Sequence, residues 1–310
     1  MKKQLFIVNT PVANLRKEPV EASFEYVCDD LQETQLLYNE CLLCKNETEG
    51  WYFVEAVEQK KAITQDNWQG YPGWVKKASV TPINTAPAFN AVVKQVQTVI
   101  KRDPLADAES LFVLLIGTRL VIEEERNDDY YRTILIDGRK GWIKKDDVNI
   151  PAPVMNRVNL RKNVIETTKL FLGMPYLWGG RSAYVPTVED VVTGVDCSSL
   201  TNLACRVNWL DIPRDAHDQW RVSEEIAYDT LEPVDMIFIS AEEAHDKITH
   251  VMIYLTGEKF IEALETGSVV TINTFKNKFG LTLHEAARQG FVVNRRRIYF
   301  GSVLAKGGGK

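Results

Sequence analysis

Gly194-Val195-Asp196-Cys197-Ser198-Ser199-Leu200 sets a cysteine between a glycine turn and an apolar repeat. Leu200, Leu203, Ala204 and Val207 recur at helical spacing to about Trp209, which predicts Cys197 at a helix start. Backbone N–H groups and the helix dipole favour an anion there, the form in which a thiol attacks. Upstream, a helix is expected over 156–172, with Val158, Ile165, Leu170 and Phe171 as its apolar positions and Gly173 as its stop. Downstream, 212–220 reads as a loop leading into a second helix that ends near Ile226. After that the period falls to two, and 234–240, 250–255, 259–264, 269–273 and 291–295 read as strands. Helices first and strands afterwards define an α+β domain. Ile150-Pro151-Ala152-Pro153 marks its boundary, and the tail at 305–310 is expected to be disordered.

The first half is different in kind. Gly70-Tyr71-Pro72-Gly73-Trp74-Val75-Lys76-Lys77 recurs as Asp137-Gly138-Arg139-Lys140-Gly141-Trp142-Ile143-Lys144-Lys145. An aromatic strand-like run precedes each, at 51–57 and 130–136, and another β-type run precedes that, at 34–38 and 118–122. Short strands separated by Gly, Asn and Asp turns predict small barrels. The order resembles bacterial SH3-like domains twice over, across 1–82 and 83–150. Trp74 and Trp142 are expected to fill the barrel cores. Cys41-Leu42-Leu43-Cys44 has zinc-ligand spacing, but no second pair or nearby histidine completes a site, so it reads as a buried strand.

Composition narrows the function. A formal net charge of -5 over 310 residues lacks the basic footprint that nucleic acid needs. No run approaches the ~18 apolar residues of a membrane span. The four-residue apolar run after Lys2-Lys3 is too short for a secretion signal, which needs about 7–15, and reads as a first strand. Five cysteines without scaffold spacing suggest free thiols and a cytoplasmic setting.

A thiol nucleophile needs a base from elsewhere in the fold. Of the four histidines, His217 falls in the 212–220 loop, His245 in a charged turn and His284 in a helix-loop region. His250 opens an apolar strand, so its ring can project at the strand end while Val251 and Ile253 anchor it. Glu262 lies in the next strand, where a hairpin would bring it beside His250 to orient the imidazole. By spacing alone, a lone cysteine at a helix start is more often a small packing residue than a nucleophile.

Five further motifs carry a resemblance: Pro175-Tyr176-Leu177-Trp178-Gly179-Gly180, Asp196-Cys197-Ser198-Ser199-Leu200, Ile212-Pro213-Arg214-Asp215-Ala216, Asp235-Met236-Ile237-Phe238 and Thr249-His250-Val251-Met252-Ile253-Tyr254. In order and spacing they resemble the NlpC-type cell-wall peptidases over roughly 155–300. With the two β-rich segments ahead of them, the chain resembles the YkfC-like γ-D-glutamyl-L-diamino acid endopeptidases. The resemblance implies a multidomain α+β chain: two small SH3-like β-barrels followed by a papain-like α+β catalytic domain at 151–310. It makes Cys197 the nucleophile, His250 the base and Tyr176 a hydroxyl that helps polarise the scissile carbonyl. It assigns Asp196 and Ser198 to the free amino group of the substrate, and Arg214 and Asp215 to the Pro-Arg-Asp motif, which otherwise reads as an ion-pair turn. Two positions depart from the pattern. Ser199 replaces the usual glycine, with little effect expected, and Glu262 replaces a third polar residue that is often histidine.

The implied activity is a cysteine endopeptidase acting on L-Ala-γ-D-Glu-diamino acid murein peptides, with no metal and no other cofactor. Two alternatives stay open at this point. One is a papain-like amidase or acyltransferase on another acyl substrate. The other is a peptide-binding protein whose catalytic site has decayed.

Overall fold

A computed structural model describes residues 4–21, 29–64, 66–123, 127–152, 156–183 and 191–304. Pro153, most of the loop before Gly194 and the 305–310 tail lie outside them.

Among its described residues, the N-terminal half is strands and two short 3₁₀ turns, with no α-helix. Its first sheet runs, in spatial order, Gln32–Leu37, Val12–Arg16, Trp68–Lys76, Trp51–Ala62, Cys41–Thr48, Leu5–Val8 and Val80–Ile83. Two smaller sheets follow, one of five strands and one of three, between Ala91 and Asn149. The apolar run after Lys3 is therefore a strand, and Cys41 and Cys44 lie in another.

The Gly-Trp repeat works differently from expectation. Alternation puts Val75 and Ile143 at 0% exposure, while Trp74 and Trp142 are only half-buried on the opposite face. The inner residue beside each tryptophan is the glycine. A Cβ on Gly73 would meet Leu15 Cγ at 2.6 Å, and one on Gly141 would meet Ile100 Cγ2 at 2.2 Å. What recurs is a glycine that lets two strands close on a core. Trp74 instead packs at a tilt against Phe53, its cross-strand partner, with ring centroids 5.2 Å apart.

The C-terminal part begins with helix α1 (Arg157–Lys169), capped by the Asn156 side chain accepting from Val158 N–H. Gly173 follows with φ +81°, as a helix stop requires. Val158 is 73% exposed, so the buried face is carried by Val164 and Ile165 instead. Helix α2 (Cys197–Val207) comes next, then α3 (Ala216–Val222). The second helix thus starts inside the expected loop, three residues after Pro213, and ends before Ile226. Glu224–Glu225 is already a strand.

The C-terminal sheet runs Glu224–Glu225, Arg296–Ser302, Met236–Ser240, Ile248–Thr256, Lys259–Glu262 and Thr271–Thr274, every neighbour antiparallel. The strand expected at 291–295 is only Val292–Val293; Asn294 and Arg295 turn with positive φ, and the long strand is Arg296–Ser302. Arg295-Arg296-Arg297 concealed it from a hydrophobic pattern, because its apolar residues begin only at Ile298.

The three parts share one interior. Val12 and Leu37 of the first sheet, Leu115 and Ile116 of the second β-rich part, and Leu200, Leu203 and Ile261 of the C-terminal part form a single buried cluster. A buried polar seam reinforces it. Arg181 reaches Glu40 at 2.7 Å, and Arg206 reaches Glu58 at 2.8 Å and the Gly117 carbonyl at 2.7 Å.

Candidate active site

Cys197 is the first residue of α2. Asp196 caps the helix, with Oδ1 accepting from Ser199 N–H at 2.8 Å, and Ser199 Oγ accepts from Asp196 N–H at 2.9 Å. The serine at the glycine position therefore completes a capping box, a consequence the sequence reading passed over. Two glycines shape the approach to it. Gly179, at φ +65°, lies so close to the first sheet that a Cβ would fall 2.7 Å from the Gln32 carbonyl oxygen; one on Gly180 would fall 2.5 Å from that of Gly194. Any larger residue would push the Tyr176–Gly180 turn off both neighbours.

Arg214 does not pair with Asp215. Its NH1 donates to Asp196 Oδ1 at 3.0 Å and to Ser198 Oγ at 2.9 Å, and NH2 donates to Asp196 Oδ2 at 2.6 Å. Nε donates to Thr34 Oγ1 at 2.7 Å, in the first sheet. This is a buried fork on a carboxylate, locked from the opposite side. Asp215 turns the other way, accepting from Tyr71 Oη at 3.1 Å and pairing with Lys61 at 3.3 Å. Arg214 and Asp215 thus both bind the C-terminal part to the first sheet.

His250 and Glu262 meet as the hairpin predicts. His250 Nε2 lies 2.8 Å from Glu262 Oε2, which keeps the proton on Nε2 and leaves Nδ1 as the acceptor. Two partners were missed. Lys278 Nζ donates to the same Oε2 at 2.5 Å, and Asn273 Nδ2 donates to Oε1 at 3.0 Å. Neither has an apolar or motif signal. Asn273 is legible only once the strand pairing places Thr271–Thr274 beside Lys259–Glu262.

Burial alone would raise the Glu262 pKa. The hydrogen bond with His250 and the charges of His250 and Lys278 outweigh it and hold the carboxyl at about 2, below its ordinary 4.5. The His250 pKa is lowered, first by burial, with the Glu262 hydrogen bond opposing and Lys278 and Arg296 assisting. The Cys197 thiol is pushed up to about 12 by burial and by the Asp196 carboxylate, against backbone hydrogen bonds from Val251 and Ser198. The depression expected at a helix start is outweighed, so burial favours the uncharged forms of both thiol and imidazole.

A stability consequence follows for Glu262. Its folded pKa lies below the unfolded value, so its stabilisation is present above pH 4.5 and is lost as pH falls toward 2. The full effect is roughly 3 kcal/mol. Urea unfolding of the protein and of Glu262→Gln at steps from pH 7 to pH 3 should show the gap between them closing below pH 4.5. A gap independent of pH would mean that the folded carboxyl is not ionised.

Cys197, His250, Tyr176, Asp196, Ser198, Arg214 and Asp215 all line one cleft of about 620 Å³. Gln32, Glu33 and Tyr71 of the N-terminal half close its other side. Trp178, 49% exposed, and His217 also face it. His217 Nδ1 accepts from Ile248 N–H at 3.3 Å, which leaves its Nε2 as a donor. Among the described residues, no group of three or more His, Cys, Asp or Glu is placed to hold a metal ion.

A helix-borne cysteine and a strand-borne histidine thus face one cleft of an α+β fold. Residues 173–288 match the NlpC/P60 family, and the chain carries an NlpC/P60 domain. The chain is 28% identical over 249 residues to a γ-D-glutamyl-L-lysine dipeptidyl-peptidase of Bacillus subtilis (strain 168), covering 79% of this chain and 77% of that one. It is 28% identical over 257 residues to the Bacillus cereus (strain ATCC 10987 / NRS 248) protein of the same name, covering 78% and 71%. Its fold is shared with the crystal structure of an NlpC/P60 family protein from Bacillus cereus ATCC 10987, with a TM-score of 0.71 at 23% identity over 87% of this chain and 94% of that one.

Proposed function

We propose that the protein is a cysteine endopeptidase that cuts the γ-D-Glu–diamino acid bond of murein peptides with a free N-terminus. The observation that carries the reading is the shared cleft of Cys197 and the Glu262-bound His250. His250 Nδ1 takes the thiol proton as sulfur attacks the γ-carbonyl. The C–N bond then breaks as His250 returns that proton to the leaving amine, and water hydrolyses the thioester. Tyr176 lines the cleft as a hydroxyl available to the carbonyl oxygen.

Asp196 and Ser198 are the proposed partners of the substrate ammonium. Arg214 already neutralises much of the Asp196 charge, so a second carboxylate is needed for a buried cation. Glu33 and Asp30 stand on the same cleft. In this reading the first of two SH3-like barrels, taken as 1–82 and 83–150, walls one end of the cleft and limits substrates to those with a free N-terminus. The four described cysteines are all unbridged, in keeping with a cytoplasmic role in murein peptide turnover.

The test compares L-Ala-γ-D-Glu-meso-diaminopimelate with its N-acetylated form. Acetylation should lower kcat/KM by about 10²-fold or more, since it leaves the acidic wall without its cation. Equal cleavage of both forms would refute the free-amine reading. Cleavage of neither would refute the peptidase reading.

A further inference from the structure

We propose that Lys278 is a positioning residue of the Cys197–His250 pair, acting through Glu262. The inference rests on the peptidase reading of that pair.

Lys278 lies on α4 (Phe275–Phe279), one helical turn that begins just after the last strand of the sheet. Thr274 caps it by accepting from Asn277 N–H. Phe275, at 0% exposure, packs edge-on against Phe260 at 5.7 Å and beside Phe279 at 5.2 Å. The two phenylalanines fix one face of the turn in the core. The Lys278 side chain is 11% exposed, and the carboxylate it meets is fully buried. A lysine tethered at such a point loses little further freedom in making its contact, unlike a surface lysine.

The geometry gives the contact a specific role. One carboxylate oxygen, Glu262 Oε2, receives both the Lys278 ammonium and the imidazole N–H of His250. The other oxygen receives Asn273. Three donors set the carboxylate plane, and that plane sets the imidazole. The charge balance matters equally. A buried Glu262 with no cation but His250 would favour imidazolium, and a protonated imidazole cannot accept the thiol proton. With Lys278 in place the carboxylate is already matched, and the imidazole stays neutral.

The other groups around His250 do not do this. Arg296, from the strand Arg296–Ser302, also disfavours imidazolium but makes no bond to Glu262. Cys197 and Asp196 at the start of α2, His217 on α3 and Lys247 share the cleft with His250, and none of them is hydrogen-bonded to Glu262. Lys278 alone joins charge neutralisation to orientation of the carboxylate.

The test uses the full chain with Cys197→Ala, so that it needs no turnover. The His250 ring is titrated by ¹H–¹⁵N NMR, its signals assigned with His250→Gln. Lys278→Met should raise the His250 midpoint by about one pH unit. Lys278→Arg should leave it within about 0.3 units. With Cys197 restored, the acid limb of kcat/KM should move upward by the same amount in Lys278→Met, with activity recovered at alkaline pH. If Lys278→Met does not fold, Lys278→Gln replaces it, with the same upward shift of the His250 midpoint expected. An unmoved His250 midpoint, or a loss of activity equal at every pH, would overturn the role of Lys278. Failure of the unmodified protein to cleave any murein peptide would count against the peptidase reading alone, since the titration still decides the electrostatic role of Lys278.

Discussion

Cys197→Ala is expected to reduce peptide cleavage by at least about 10⁴-fold, the scale of losing a covalent nucleophile. The folded protein should be almost unchanged, with a stability difference within about 1 kcal/mol. The two effects separate because of where the sulfur lies. The Asp196–Ser199 capping box holds the start of α2 through backbone and neighbouring side chains, none of them the thiol. Cys197 adds one small group to a cluster otherwise made by Cys205, Ile212, Ala216, Met236, Phe238, Ile248 and Val251. The measurement is product release by chromatography beside a thermal melt. Residual cleavage within tenfold of the parent protein would remove Cys197 from the chemistry. The protonated state of the resting thiol adds a second readout, since iodoacetamide labelling should be slow at neutral pH and rise steeply under alkaline conditions. A fast, pH-independent alkylation would instead indicate a preformed thiolate–imidazolium pair.

That resting state shows where the sequence was legible and where it was not. The start of α2, the strand placement of His250 and the hairpin that brings in Glu262 all follow from period and spacing, and the structure places them accordingly. The charge environment does not follow from spacing. A helix start was expected to lower the thiol pKa, but the cap that starts the helix is itself a carboxylate, and burial adds to its effect. The Gly-Trp repeat was visible, while its purpose was misassigned, because pattern shows that a large aromatic recurs and does not show which face it takes. Glycine 73 and 141 carry the packing there. Lys278 was illegible for a related reason: Phe-Lys-Asn-Lys-Phe is too short to show helical periodicity, and its partner lies sixteen residues back in sequence. Arg214 was legible as a motif, yet its partners are Asp196 and Thr34, 18 and 180 residues away.

Arg214→Met should destabilise the protein by about 3–5 kcal/mol, the usual cost of breaking a buried ion pair from one side. Five hydrogen bonds disappear together, two to Asp196 and one each to Ser198, the Gly180 carbonyl and Thr34. Asp196, 8% exposed, is left with a charge that only Ser198 and the Ser199 N–H address. At ~2 °C per kcal/mol for a chain of this size the thermal midpoint falls by roughly 6–10 °C. Activity should fall further than stability alone dictates, by about 10²-fold or more in the fraction that remains folded. Loss of Arg214 raises the Cys197 pKa still more, because the guanidinium is one of the groups holding it down. It also frees the Asp196 and Ser198 side chains from the first sheet. Arg214→Lys keeps the charge but loses the fork, so it should lie between the two. The decisive comparison is Asp196→Asn/Arg214→Met, which leaves no buried charge unpaired. Its stability should recover by at least half while its activity does not, because the amide neither restores the carboxylate fork nor rejoins α2 to Thr34. If the double variant is no more stable than Arg214→Met, the loss comes from packing of the long side chain and not from the ion pair.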